Sequence, residues 1–213
     1  MGTEQTGSGF LGELFGWISS SLSLPDKFLE KLPLDDDWSL IVKLHAMVEA
    51  GLNNAILAKL GAPDLKRIVA KLDTSNTATG KIAFALSLGI ISKPSFIFIK
   101  DLSELRNHCV HNPKHFAFRI ADHLKTLPEK ERNALVSHIA NALQKPGADG
   151  QVSKKTKAVI AGDPAFGITW ASLLVMAQLL VLDLKCRTRS ANDELACYMA
   201  ARFDEQHQST PKE

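Results

Sequence analysis

Trp38, Ile41, Leu44, Val48, Leu52, Ala55 and Ile56 follow one another at three- and four-residue steps. Only a helix gathers such positions on one face, so the run predicts a helix of about six turns. Asp35-Asp36-Asp37 stand just before it. Carboxylates there accept hydrogen bonds from the free N–H groups of a first turn and complement the helix dipole. No stretch sustains the period-two alternation of a half-buried strand, and only residues 95–99 match a short one. The expectation is an all-α fold.

The remaining punctuation divides the chain into further helices. Phe10, Leu14, Trp17 and Ile18 recur at helical spacing after a small, polar start (residues 1–9) that reads as loose. This N-terminal stripe is expected to pack on its own core or on a second subunit, because no Lys or Arg lies near it to meet an anionic membrane. After Pro63, Leu65, Ile68, Val69 and Leu72 are placed inward, with Lys66, Arg67 and Lys71 outward. Residues 81–88 form a third helix, with Gly89 where a left-handed residue closes it. Ser92 and Pro94 open the next helix, whose stripe is Phe98, Leu102, Leu105 and Cys109, and Asn112-Pro113 ends it. Residues 115–124 read as helix. Thr126-Leu127-Pro128-Glu129 resembles a capping box before Leu135, Ile139 and Leu143. Residues 145–157 read as loop. Asp163-Pro164 starts a long apolar helix, and a separate last helix carries Leu195, Tyr198 and Met199, with a loose tail after Arg202.

Residues 166–184 are the one long apolar run, broken by Thr169, Ser172, Gln178 and Asp183. Its length suffices for a bilayer, but a central helix buried on all sides gives the same pattern and is the reading adopted. The first 26 residues contain no Lys or Arg, so they lack the charged start of a secretory signal. Cys109, Cys186 and Cys197 are odd in number and lack CxxC spacing, which suggests a reducing, cytoplasmic setting and no zinc. The formal net charge is +2 over 213 residues, too little for a broad duplex-DNA face. Any nucleic-acid contact must come from a local patch or from pairing two subunits.

The residues with chemistry are Arg106-Asn107-His108-Cys109-Val110-His111, near the end of one helix. An arginine grips phosphate in a forked, charge-assisted contact. A neutral histidine can take the proton of a ribose 2′-hydroxyl, and a histidine can return one to the leaving oxygen. Such a reaction would act on RNA and need no metal. Asn107 and His111 fall on one helical face, whereas Arg106 and His111 lie about 140° apart on a regular helix. The pair therefore converges only where the helix end loosens, or across a two-fold axis. The bland readings are a helix-end arginine bonded to Glu104, Glu49 or terminal carbonyls, and a histidine satisfying backbone oxygens. Glu104, His108, His111 and His115 have ligand-like spacing, but Pro113 breaks their register, so no metal is expected. His45, His123, His138 and His207 read as scattered structural or exposed residues, and Cys109 as a small core residue.

The motif Arg106-Asn107, followed by His111, resembles the R-N-x3-H signature of HEPN domains. The phrase Lys81 to Ser92 (KIAFALSLGIIS), ahead of Arg106-Asn107, is similar to the mannitol-operon-repressor branch. There a helix ending in an A-L-G-L-I-S-like phrase precedes an I-R-N-x-F-A-H helix. The helix from Asp37, with Glu49 and Leu52, and the apolar helix from Asp163-Pro164 are similar to that branch's first and closing helices. His108 and Cys109-Val110 depart from the apolar pair usual there. The resemblance implies a HEPN-like helical bundle with an N-terminal helical extension, divided as 1–34, 35–188 and 189–213. It implies a homodimer with Arg106, Asn107 and His111 as the catalytic set in a shared cleft. Arg106, His108 and Lys114 would be the nucleic-acid contacts. It implies no cofactor. The expected function is a non-catalytic transcriptional or post-transcriptional regulator that meets RNA, a protein partner or an antitoxin, with DNA contact left open and no membrane. The alternative is a metal-independent, toxin-like endoribonuclease.

Overall fold

In a computed structural model the described residues are 5–111, 116–144 and 152–208. Among them every regular element is helical: α1 (Gln5–Leu22), α2 (Phe28–Lys31), α3 (Asp37–Leu60), α4 (Lys66–Lys71), α5 (Lys81–Ser87), α6 (Lys93–Val110), α7 (Ile120–Thr126), α8 (Glu129–Ala142), α9 (Lys154–Gly162) and α10 (Pro164–Gln208). The chain is all-α, and residues 95–99 lie inside α6 rather than in a strand.

The anticipated helix around Trp38 is α3, the axis of the bundle. Asp36 caps it by accepting from the Ser39 N–H at 2.9 Å, and Gly61 closes it at φ 60°. Ile41, Leu44, Leu52 and Ile56 are fully buried, and α10 lies along this face. The two helices approach closely at Gly51, where an added Cβ would sit 2.7 Å from Met176 Sδ. A mid-helix glycine costs about 1 kcal/mol against alanine, and this contact is the reason to keep it. Helix α6 packs on α3 and α8 with Phe98, Ile99, Leu102 and Cys109 inward. Its last turn is held by the Trp38 indole, which donates to the Cys109 carbonyl at 2.9 Å. Ile18 of α1 is fully buried, and α1 rests on α10 and α3 of its own chain.

Several boundaries differ from the pattern reading. Helix α4 is only one and a half turns or so, burying Val69 alone, while Ile68 is 62% exposed. The short helix has no neighbour wide enough to cover a second row. Thr126 does not cap α8; its hydroxyl donates back to the His123 carbonyl at 2.7 Å, and Pro128 stands at the N-cap. Helix α7 begins at Ile120, where the backbone N–H donates to Asp37 Oδ2 at 2.7 Å, instead of at residue 115. Helix α9 begins at Lys154, inside the expected loop, because Ser153 caps it through the Thr156 N–H. Helix α1 already runs from Gln5, and α10 continues unbroken through the residues assigned to a separate last helix and tail. No Pro or Gly interrupts residues 168–208, so nothing stops it. Helix α10 is also not buried on all sides: Phe166, Val181 and Leu184 are 51%, 40% and 55% exposed.

The segment between α4 and α5 closes on itself at Gly80. Lys81 N–H donates to the Asp73 carbonyl at 2.8 Å, and Gly80 N–H to the Asn76 carbonyl at 3.0 Å. A Cβ on Gly80 would meet those two carbonyl oxygens at 2.3 and 2.5 Å. Backbone atoms cannot swing aside as a side-chain tip can. We expect Gly80→Ala to lower unfolding stability by about 1–3 kcal/mol in a denaturant titration, although alanine is the better helix former.

Candidate functional site

Three residues on one stripe and turn of the bundle set up the site. Helix α3 places His45 and Glu49 one turn apart, and α5 brings Lys81 to them. Lys81 Nζ is 2.7 Å from Glu49 Oε1, and its side chain is wholly buried. Thr74 donates its hydroxyl to the same Oε1 at 2.7 Å. Burial opposes ionisation of Glu49, but the hydrogen bonds from Lys81 and Thr74 and the charge of Lys81 outweigh it and hold this carboxyl below its ordinary range.

His45 is 8% exposed, and its Nε2 lies 3.1 Å from Ser103 Oγ. The Ser103 proton is already given to the Ile99 carbonyl at 2.8 Å, so Ser103 accepts from Nε2–H. In the neutral ring Nδ1 is then an acceptor, 3.9 Å from Glu49 Oε2. Burial pushes the His45 pKa down against the pull of Glu49, and the charges of Arg106 and Lys81 push it further. The ring is neutral at pH 7.

Arg106 and Asn107 are half-buried on the α6 face toward α3. Arg106 Nη1 donates to Asn107 Oδ1 at 3.1 Å, and the guanidinium forms no ion pair among the described residues, with Glu49 or Glu104 included. Glu104 is held instead by Lys100 at 2.8 Å. Arg106, Asn107, His45, Glu49, Thr74 and Ser103 line a cavity of about 180 Å³. The pattern reading missed His45 and Lys81, and only the fold brings them here. The i,i+4 step from His45 to Glu49 was the one available hint.

The other motif residues lie elsewhere. His111 is the exposed C-cap of α6, its N–H donating to the Asn107 carbonyl at 3.2 Å, so Arg106 and His111 do not meet within one subunit. His108 faces α7, its ring 4.7 Å from that of His123. It lines a groove of about 360 Å³ with Asp101, Glu104, Glu131 and His138. His138 Nδ1 is 2.6 Å from Asp101 Oδ2, and burial raises the Asp101 pKa despite that bond. Three carboxylates give this groove the wrong sign for a phosphate backbone. Lys114 lies outside the described residues. Cys109 is fully buried, and burial together with Asp36 and Asp37 pushes its thiol up to about 11, which removes it as a nucleophile.

No family model, curated protein or solved structure matches this chain.

Two outcomes follow from the ion pair and the imidazole. Glu49→Ala leaves the Lys81 ammonium buried without a counter-charge, and we expect a loss of roughly 3 kcal/mol in unfolding stability. Both titrating groups make the fold acid-sensitive, because each binds a proton more readily in the unfolded chain. The His45 contribution is complete above its ordinary pKa of 6.5 and declines as pH falls below it, and that of Glu49 declines below 4.5. Denaturant midpoints measured from pH 8 to 4 should fall in these two stages, with His45→Phe removing the upper one.

Proposed function

We propose that this chain is a non-catalytic regulator of transcription or of transcript fate, working as a homodimer of a HEPN-like helical domain. The observation that carries this reading is the separation of Arg106 from His111. The phosphate-gripping half turns into the α3 pocket, while the proton-moving half stands exposed beyond the helix end. Helix α10 supports the dimer. Val181, Leu184, Thr188, Ala191 and Leu195 recur at three- and four-residue steps on its outer face. Val181, Leu184 and Leu195 are 40%, 55% and 59% exposed. A 3.5-residue apolar repeat suits a second helix. Laid antiparallel on its own copy, this stripe sets Leu184 against Leu195 and Arg187 against Glu194, twice by symmetry. Arg187 is 2.9 Å from Asp183 within the chain, and its own side chain is 67% exposed, within reach of a second partner. Helices α3 and α10 are also long and apolar enough to cross a membrane, although about half of each such window is buried in the bundle.

A second reading, a metal-independent endoribonuclease, is favoured by one observation. Among the described residues the Arg106 guanidinium has only its neighbour Asn107 as a partner, which leaves donors to take a phosphate. His111 of a second subunit would then supply the proton transfer.

Purified protein incubated with structured and single-stranded RNA decides between the readings. The regulatory reading expects intact RNA and unchanged host growth on expression, with wild type and His111→Ala behaving alike. Cleavage abolished by either Arg106→Ala or His111→Ala would establish the enzyme instead. For the dimer, sedimentation should give twice the chain mass for wild type and the chain mass for Leu195→Asp. Arg187→Glu should weaken association, and adding Glu194→Arg should restore it.

A further inference from the structure

The cavity between α3, α6 and the segment before α5 has two unlike sets of polar groups, neither of which is satisfied among the described residues. In the first, His45 Nδ1 and Glu49 Oε2 are both acceptors, 3.9 Å apart, with no donor between them among the described residues. Every other polar atom of these two groups is engaged: Nε2 with Ser103, and Oε1 with Lys81 and Thr74. The second is the Arg106 guanidinium, four of whose five N–H groups have no acceptor among the described residues. Thr74, Ser75 and Asn107 make the rest of the lining largely polar, with Leu72 its one apolar member.

Charge decides what fits. Asp73, Glu49 and Arg106 all line the cavity. A simple anion would meet the two carboxylates, and a simple cation would meet the guanidinium. A molecule carrying both signs matches both kinds of group: its ammonium donates to His45 Nδ1 and Glu49 Oε2, and its carboxylate takes the forked donors of Arg106. The cavity of about 180 Å³ holds the volume of about six waters at ~30 Å³ each, which suits a ligand of roughly six to ten non-hydrogen atoms. We propose that this pocket, built from His45, Glu49 and Arg106, is a binding site for a small zwitterionic amino acid. The depressed basicity of His45 agrees with the role given to Nδ1, because a protonated ring would compete with the ligand's ammonium for Glu49. The inference does not depend on the regulatory reading, since binding is measured on the isolated protein whatever it regulates.

The test is calorimetric titration and thermal melting of the full-length protein with each of the twenty amino acids. Propylamine, propionate and inorganic phosphate serve as single-charge controls. We expect at least one small amino acid to bind saturably and raise the Tm, with the three controls inert. Arg106→Met, which removes no ion pair, should keep the ligand-free Tm and weaken that binding roughly ten- to a hundredfold, the worth of a charge-assisted hydrogen bond. His45→Phe keeps an aromatic ring but removes both nitrogens, Nδ1 with them, and should weaken it comparably. If no amino acid binds, the pocket holds only water and the proposal is wrong. Binding of propionate or phosphate as tight as that of any amino acid would make it an anion site and overturn the zwitterion assignment. Binding unaltered in Arg106→Met would place the ligand elsewhere.

Discussion

The Lys81–Glu49 pair is the constraint around which this side of the bundle is arranged. An ammonium with no exposed surface survives only beside a charge and hydrogen bonds, because its desolvation costs several kcal/mol. Glu49 supplies the charge, and its position on α3 fixes where α5 must begin. The turn at Gly80 then follows: with the Lys81 side chain anchored below, its N–H reaches the Asp73 carbonyl and draws Thr74 over the same carboxylate. One ion pair thus ties α3, α5 and the intervening segment into a single unit, and leaves Glu49 Oε2 facing the cavity.

Helix α6 is the element shared by two different environments. Its Ser103, Arg106 and Asn107 turn to α3, where the charges are mixed and the cavity is small. Its Asp101, Glu104 and His108 turn to α7 and α8, where the groove is acidic and about twice as roomy. Adjacent residues of the motif therefore serve separate surfaces. Successive helical side chains diverge by about 100°, so Arg106 and His108 cannot share a ligand however suggestive their order in the chain. The Trp38 indole holds the last turn in regular geometry, which keeps Arg106 and His111 apart within one subunit.

Helix α10 shows why a bundle helix and a membrane span look alike from sequence. One face buries Ile168, Val175, Met176 and Leu179 against the core. The opposite face carries Phe166, Val181 and Leu184 in solvent. Apolar residues on both faces raise the average hydropathy to that of a span, although the two faces have different occupants. A large exposed apolar stripe marks a contact surface, and the proposed pairing with a second copy rests on the self-complementary order of Arg187 and Glu194.

Local rules made much of the helical framework legible. The three- and four-residue steps from Trp38 gave α3, Ser92 and Pro94 opened α6, and Gly89 stands at φ 66° where a left-handed residue was anticipated. These signals depend on side-chain spacing and backbone preference, both carried within a few residues. The site was not legible in the same way. His45, Glu49, Thr74, Lys81 and Arg106 span sixty residues and four segments, and their meeting depends on how α3, α5 and α6 pack. Nor could pattern tell that α10 keeps one face wet, or that Thr126 would bond backward instead of capping α8. Sequence alone determined that the chain is built of helices and where most of them lie, because that choice is local. Tertiary structure decided which polar groups lose water together, because desolvation is a property of neighbours in space and not of neighbours along the chain.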